Sequence, residues 1–287
     1  NSGQGKSHLL KGILANLRES GKSLIVLDPE QEYQELCENL GGCYLDYLSG
    51  EYVINPLQPQ NWDEDPVNED DERTPEQRDA APMSRSSIGE SGNLAPAPQS
   101  PVVPVPGPFQ KTTMLSRHIS YLKDFFRSYK DFTTAQLDTI ELMLQKLYRR
   151  FDMDDYTDFS QVAPEKFPTM SDFYDLLEEE FDLYDPKRKN LFSEETIQEV
   201  CLGLHSMCKG AESKYFNGHT NIKDDKFLVF GVKGIMELNR SLRDALLFSI
   251  LSYMTNALLG AGNYVGALDE LYLFLTNLTA IEYIRNL

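Results

Sequence analysis

The spacing of hydrophobic residues near the start of the chain changes from a helical to a strand pattern. Apolar side chains recur at helical intervals over residues 8–20, which predicts a helix with one apolar face. The uninterrupted apolar run at residues 23–27 is typical of a buried parallel strand. A second short helix is predicted over residues 30–40, where a glycine pair follows as a stop signal. This alternation of helix and strand predicts an α/β sheet.

The same alternation returns near the other end of the chain. Apolar runs at residues 227–232 and 264–268 predict strands, and residues 242–259 predict an amphipathic helix between them. The helical spacing puts Ser249, Ser252 and Asn256 on the face opposite the apolar stripe. An Ala-Gly-Asn sequence interrupts the charge-free stretch that contains this helix and the last strand. A buried helix followed by a strand therefore explains the stretch better than a membrane span, which needs about 20 unbroken apolar residues.

The middle of the chain contains two segments of different composition. Residues 61–111 are first acidic and then rich in proline, so we predict a disordered insert that cannot bury enough apolar surface to fold. Residues 112–212 contain helix-start signals at Thr133, Thr169 and Ser193, which predict an all-α insertion. The predicted organisation is a first part of the α/β core over residues 1–60, the insert 61–111, the helical insertion 112–212, and a second part of the core over 213–287.

The charge balance of the chain does not favour a nucleic-acid groove. The formal net charge is −18 at pH 7, and residues 61–110 carry ten acidic and three basic side chains of this total. The rest of the chain is therefore acidic as well. Binding to phosphates along a nucleic acid depends on Lys and Arg. Direct nucleic-acid binding is left as an open question by the composition.

Cysteine usage predicts free thiols rather than a disulfide framework. The chain has 4 cysteines in 287 residues, which suits a reducing cytosol. Cys201, His205 and Cys208 lie at helical intervals on one predicted helix. They span about 10 Å of helix axis at 1.5 Å per residue, which is too long for one metal ion. We interpret them as part of a core-facing helix surface.

The chain opens with NSGQGKS, which matches the end of the phosphate-binding pattern G-x-x-x-x-G-K-[ST]. Gly5, Lys6 and Ser7 occupy the last three places, and the first glycine of the pattern is expected just before Asn1. Glycines let backbone N–H groups approach phosphate oxygens, and the start of the following helix adds positive potential. Lys6 is predicted to contact the β- and γ-phosphates of ATP, and Ser7 to bind Mg²⁺. The full predicted nucleotide-binding segment is Asn1, Ser2, Gly3, Gln4, Gly5, Lys6, Ser7 and His8.

A second motif lies at the end of the last predicted strand, in the sequence VGALDE at residues 265–270. An apolar strand that ends in Asp-Glu is the usual partner of a phosphate-binding loop. Asp269 is predicted to bind Mg²⁺ through water, and Glu270 to act as the base that activates the attacking water. Glu270 and Lys6 are thus the predicted catalytic residues.

Six sequences together resemble the conjugative-transfer ATPases of type IV secretion, the VirB/TraE motor class. They are GQGKS, LIVLDPEQEY, YVINPL, YFNGHTNI, FLVFGV and ALDELYLFL. The resemblance implies a RecA-like P-loop NTPase core with a helical insertion, which works as a homo-hexamer on the cytoplasmic face of the membrane. It further implies that Glu30 and Glu32 lie near the nucleotide, with Glu32 the better match to the family's acidic position.

The function expected from this resemblance is ATP hydrolysis coupled to the assembly of, or transfer through, a conjugation apparatus. Its expected partners are secretion-channel and coupling proteins at the membrane. Two alternatives stay open, which are a related DNA-pumping ATPase and a non-hydrolysing scaffold that binds ATP. Glu270 discriminates between motor and scaffold, because a scaffold needs no catalytic carboxylate. We also expect the chain to be a fragment cut at both ends, so that in isolation it can lack activity.

Overall fold

Parallel strands form the centre of the fold in the computed structural model, which describes residues 4–59, 113–223, 225–260 and 263–269, with only the backbone of Gln4. The predicted disordered insert at 61–111 lies outside these residues. Among them, one sheet contains β1 (Ser23–Asp28), β2 (Cys43–Asp46), β3 (Phe227–Gly231) and β4 (Tyr264–Leu268). Its spatial order is β2-β3-β1-β4, and every neighbouring pair is parallel.

The central strand β1 shows why the apolar runs predicted this sheet correctly. Val26 pairs with Val229 of β3 on one side and with Ala267 of β4 on the other. Five of the six residues of β1 are buried, since helices cover both faces of the sheet. A strand that is buried on both faces carries a continuous apolar run rather than an alternating one. The short edge strand β2 has no such run, and the sequence pattern did not predict it.

Helices pack against the two faces of the sheet and divide its side chains into two cores. One face contacts α1 (Gln4–Glu19) and α2 (Gln34–Asn39), with Leu14, Leu24, Val26, Tyr33 and Cys37 in the shared core. On the opposite face, the alternate side chains Ile25 and Leu27 belong to the larger core that includes most of the helices. The division follows from the two-residue period of side chains along a strand.

The predicted helix at 30–40 begins four residues later than the sequence pattern indicated. The structure starts α2 at Gln34, and the residues before it form a turn around the side chain of Asp28. Gln31 in this turn has a positive φ of 59°. A helical conformation is therefore excluded at that residue. The helix predicted over 8–20 also differs, because α1 already includes Gln4 and ends at Glu19.

The segment predicted as an all-α insertion contains helices with the caps that its sequence indicated. They are α3 (Met114–Tyr129), α4 (Thr134–Arg150), α5 (Met170–Asp182) and α6 (Glu194–Cys208), followed by the short α7 (Ser213–Phe216). The capping boxes at Thr133 and Thr169 are both formed, and the Ser193 side chain accepts a hydrogen bond from the N–H of Thr196. These three helix starts are confirmed.

The last long helix is buried more completely than its sequence pattern predicted. After the short α8 (Lys233–Met236), α9 (Arg240–Gly260) packs against both α3 and β4. Ser249 and Ser252, predicted on a polar face, are buried at 1% and 0% exposure. The prediction of an amphipathic helix was wrong here, because α9 is packed against both α3 and the sheet. Within the parts of the chain that the structure describes, no helix is both long and apolar enough to cross a membrane.

Two of the segments that carry the family resemblance lie side by side. The N–H of Val53 donates to Oδ1 of Asn221 at 2.8 Å, and the N–H of Asn221 donates to the Val53 carbonyl at 3.2 Å. Asn55, which is buried, donates from Nδ2 to the carbonyl of Pro168 at 2.9 Å and accepts from the N–H of Leu57. The 51–57 segment is thereby joined both to residues before β3 and to residues before α5.

Candidate functional site

The carboxyl ends of β1 and β4 bring two aspartates to one edge of the sheet. Leu27 pairs with Leu268, so Asp28 and Asp269 follow at the next position of two neighbouring parallel strands. In open α/β sheets, ligands bind at this edge, outside the carboxyl ends of the strands. Both side chains are buried, at 0% and 9% exposure. The edge therefore contains two carboxylates that need polar partners.

The carboxylate of Asp28 is satisfied by the backbone of the turn that follows β1. Its Oδ1 accepts the N–H of Glu32 at 3.0 Å, and its Oδ2 accepts the N–H of Tyr33 at 2.9 Å. Burial raises the pKa of Asp28 above its ordinary value, and these backbone donors oppose the shift. The two bonds fix the path of the turn, including the positive φ of Gln31.

Tyr33 connects this turn to the end of β4. Its side chain is fully buried, and its hydroxyl donates a hydrogen bond of 2.6 Å to Oδ2 of Asp269. Burial is the largest cause, and the bond to Asp269 the next, of a pKa for Tyr33 well above the ordinary value. The phenol therefore stays protonated and keeps its role as the donor. On its other side, the Nζ of Lys11 lies 5.5 Å from the ring centroid, within the range of a cation–π contact.

The connection between α1 and β1 indicates which end of α1 points toward this edge. A tight turn at Gly21, with φ of 87°, joins the end of α1 to the start of β1. Helix and strand are therefore antiparallel, and the first turn of α1 points toward the carboxyl edge. Gly5 and Lys6 are exposed in that first turn, and Ser7 is half-buried. Around Gly5, no atom from outside the helix backbone lies within 4 Å of the place where a Cβ would stand.

The predicted site residues differ in what the structure describes of them. Asn1, Ser2, Gly3 and Glu270 lie outside the described residues, and only the backbone of Gln4 is described. Among the others, His8, Glu30 and Glu32 are exposed, and Asp269 is buried at the end of β4. The contacts with Tyr33 bring α1, the turn after β1 and the end of β4 together.

Sequence reasoning assigned no role to Asp28, Tyr33 or Lys11, which make the contacts between these elements. The segment from Asp28 to Tyr33 was noted only as part of a family resemblance. An available signal was the aspartate at the end of an apolar run, since such a side chain can accept backbone N–H groups of the next turn. The bond from Tyr33 to Asp269 has no local signal, because 236 positions separate the two residues.

The donor groups at this edge fit Mg²⁺ better than a transition metal. The carboxylate of Asp269 and the hydroxyl of Ser7 are hard oxygen donors. No group of three or more His, Cys, Asp or Glu side chains suited to a metal occurs within residues 4–59, 113–223, 225–260 and 263–269. Mg²⁺ in nucleotide sites is typically held by one or two protein groups together with phosphates.

In α6, Cys208 is buried and His205 is exposed, so the predicted core-facing surface is wrong for His205.

Two hollows of the surface differ in their relation to the strand ends. One of about 400 Å³ lies beside the Asp28 turn and is lined by Gln31, Asp46, Ser49, Lys233 and Glu237, among others. A larger hollow of about 770 Å³ lies between α5 and α6, away from the sheet, with Glu178, Asp182 and Leu202 in its lining. Only the smaller of these two is lined by a residue of the turn after β1, Gln31.

Comparisons with known proteins support this architecture at the level of the fold. A parallel sheet with helices on both faces defines the chain as an α/β protein, as the sequence predicted. Among solved structures, it is similar to VirB4 of Thermoanaerobacter pseudethanolicus, with a TM-score of 0.70 and 24% sequence identity. The match covers 97% of this chain and 85% of that one. No family model matches the chain, and no curated protein matches it.

Proposed function

We propose that the chain is part of a P-loop ATPase that drives a conjugative type IV secretion apparatus. The fold likeness to VirB4 supports this, because the six sequence segments resemble the same class of motor. The resemblance was found from local motifs, whereas the fold match covers 97% of the chain. The two observations are therefore of different kinds and point to one class of protein.

The observation that carries the proposal is the set of contacts made by Tyr33. Its hydroxyl bonds to Asp269 at the end of β4, and its ring lies beside Lys11, one helical turn after Ser7. A P-loop ATPase needs a helix start with Lys and Ser near a strand-end aspartate. The contacts of Tyr33 support such a site, because they join α1, whose first turn carries Lys6 and Ser7, to the strand end at Asp269.

Each residue of the proposed site has a distinct role toward Mg·ATP. The loop from Asn1 to Gly5 offers backbone N–H groups to the phosphates, and Lys6 adds a positive charge at the β- and γ-phosphates. Ser7 would hold Mg²⁺ directly and Asp269 would hold it through a water, and the ion would neutralise phosphate charge when bound. Glu270 accepts the proton of the attacking water. His8 and Glu32 complete the site as exposed groups beside the nucleotide.

The wider role follows from the family resemblance. The motor works as a homo-hexamer, peripheral on the cytoplasmic face of the cell membrane, together with secretion-channel and coupling proteins. A DNA-pumping ATPase is a second candidate, although the net charge of −18 gives it no support. A scaffold that binds ATP without hydrolysis is a third, and Glu270 separates it from the motor.

The phosphate-binding role of Lys6 can be tested by calorimetry on the protein with its natural flanking sequence. Lys6→Ala should weaken Mg·ATP binding about 10- to 100-fold, since hydrogen bonds to charged groups contribute about 1.5–3 kcal/mol. Lys22→Ala is a matched control, because Lys22 is an exposed lysine that bonds to Asn263 after the other end of α1. Equal affinities for Lys6→Ala and the parent would contradict the assignment.

A further inference from the structure

Tyr33 stands between the two elements that carry the proposed Mg²⁺ ligands. Its hydroxyl holds Oδ2 of Asp269, and its ring contacts α1 at Lys11, four residues after Ser7. We propose that Tyr33 is a positioning residue that sets the orientation of the Asp269 carboxylate and its spacing from α1. The inference rests on the proposed function, because it concerns the same Mg·ATP site.

The position of the Tyr33 hydroxyl is itself fixed by the backbone. Asp28 accepts the N–H groups of both Glu32 and Tyr33, which anchors the turn directly before the tyrosine. The carbonyl of Asp28 also accepts the N–H of Val232 at 3.0 Å, so β1 and the residue after β3 hold the start of the turn. A chain of bonds thus runs from the sheet through Asp28 and Tyr33 to Asp269.

A tyrosine suits this position because the site needs both bulk and a donor. The ring fills the core between α1, α2 and the sheet, where it is fully buried with Leu14 and Val26. Phenylalanine would fill most of the same space but would withdraw the donor from a carboxylate that is only 9% exposed. Oδ2 of Asp269 would then lose this hydrogen bond, and the orientation of the carboxylate should be less closely defined.

Orientation matters more for Mg²⁺ than for the nucleotide alone. Mg²⁺ requires near-ideal octahedral geometry with short bonds. Groups that orient a metal ligand typically change metal affinity by about 10- to 100-fold when they are removed. The phosphates, in contrast, are bound in the proposed site through the loop and Lys6. Loss of the hydroxyl should therefore raise the Mg²⁺ requirement and leave the affinity for the nucleotide alone nearly unchanged.

The test is a titration of Mg²⁺ against binding of a fluorescent ATP analogue, with Tyr33→Phe in the protein that carries its natural flanking sequence. We expect a rise of about tenfold in the Mg²⁺ concentration that gives half of the full Mg²⁺-dependent increase in analogue binding. Affinity for the analogue without Mg²⁺ should change by less than about twofold. Both are binding measurements, so they do not depend on hydrolysis.

Tyr148→Phe is the matched control for simple loss of a buried hydroxyl. Tyr148 is also fully buried, and its hydroxyl donates a 2.6 Å hydrogen bond to the carbonyl of Leu57. It lies in α4, outside the proposed site. Thermal unfolding should show that both variants lose stability, while the Mg²⁺ requirement rises only in Tyr33→Phe. An equal Mg²⁺ requirement in Tyr33→Phe and the parent overturns the inference.

A second variant tests the hydrogen bonds of Asp28 that anchor the turn, and it leaves the side chains of Tyr33 and Asp269 unchanged. Asp28→Asn keeps one side-chain oxygen and replaces the other by an NH₂ group, which cannot accept a hydrogen bond. One of the two backbone N–H groups, of Glu32 or Tyr33, therefore loses its acceptor, and the turn should be held less firmly. We expect the Mg²⁺ requirement to rise in the same direction, and an unchanged requirement would contradict the anchoring step. If the parent itself binds no ATP analogue, the proposed function fails. If the parent binds and Tyr33→Phe matches it at every Mg²⁺ concentration, only the role of Tyr33 fails.

Discussion

The hydroxyl of Tyr33 and Oδ2 of Asp269 lie 2.6 Å apart, although 236 positions of sequence separate the two residues. The bond therefore joins the first part of the α/β core to the second across the whole helical segment. The pairing of β1 with both β3 and β4 also joins these two parts of the core, through backbone hydrogen bonds along whole strands. The candidate site therefore forms only when β1 has paired with β3 and β4, which come from distant parts of the sequence.

Close packing before β2 predicts that an added methyl group at Gly42 destabilises the fold. A Cβ there would lie 2.6 Å from the carbonyl oxygen of Phe227 and 2.8 Å from Sγ of Cys37. Gly42→Ala should lower the free energy of unfolding in urea by about 1–3 kcal/mol, because the backbone must shift to relieve the overlap.

Gly12→Ala provides the opposite case within the same chain. Gly12 is exposed in the interior of α1, and no atom from outside the helix backbone lies within 4 Å of the place where a Cβ would stand. Alanine there should raise the free energy of unfolding by up to about 1 kcal/mol, through helix propensity alone. Similar effects of the two substitutions would contradict the packing described around Gly42.

The parts of the fold that follow local rules were predicted from the sequence. The strands β1 and β3 were found because strands buried on two faces carry continuous apolar runs. The edge strand β4 also carries an apolar run, although only Ala267 in it is buried. The starts of α4, α5 and α6 were found because their caps are local hydrogen bonds between a side chain and the next turn.

The parts that depend on tertiary contacts could not be predicted in this way. The start of α2 is delayed by the buried carboxylate of Asp28, whose burial depends on β3 and β4 covering both sides of β1. The burial of Ser249 and Ser252 belongs to a helix, α9, that packs against both β4 and the sequence-distant α3. At the site, the sequence predicted Asp269 from its strand and could not predict its bond to Tyr33.

Asn55 is predicted to contribute to stability through its two side-chain hydrogen bonds. It donates to the carbonyl of Pro168 and accepts from the N–H of Leu57, and it is 2% exposed. Asn55→Ala leaves these buried groups without partners, which should cost about 2 kcal/mol in urea unfolding. Asn190→Ala is the control, because Asn190 also donates to a backbone carbonyl but is exposed. Equal losses would contradict a special role for Asn55.

Burial of His118 predicts that stability falls below neutral pH. The side chain is fully buried beside the rings of Tyr121 and Tyr148, and burial lowers its pKa from 6.5 to about 3. Above pH 6.5 both the folded and the unfolded chain hold His118 neutral. As the pH falls from 6.5 toward 3, the unfolded chain binds a proton that the folded chain excludes, so stability is lost across this window.

The size of this effect can be measured by comparing unfolding at pH 6.5 and pH 5. One pKa unit corresponds to about 1.4 kcal/mol, so His118 should account for a loss of about 2 kcal/mol between these values. His118→Phe keeps an aromatic ring and removes the proton-binding group. Its stability should therefore fall less over the same interval than that of the parent. Parallel pH profiles for the variant and the parent would contradict the prediction.

Glu270 is predicted to separate hydrolysis from binding in the protein with its natural flanking sequence. Phosphoryl transfer requires a metal, a phosphate cradle and a positioned water. In the proposed site, Lys6, Ser7 and Asp269 provide the first two, and Glu270 acts on the water. Glu270→Gln keeps the shape of the side chain and removes its basicity. Turnover should fall by about 10²- to 10⁴-fold while ATP still binds.

The same variant discriminates between a motor and a scaffold when turnover and DNA transfer are measured together. Glu19→Gln, at the exposed far end of α1, is a control that neutralises a carboxylate away from the proposed site. A motor needs hydrolysis for each cycle, so loss of turnover in Glu270→Gln should abolish transfer in a mating assay. A scaffold needs only the bound nucleotide. Normal transfer together with lost turnover would therefore refute the motor and favour the scaffold.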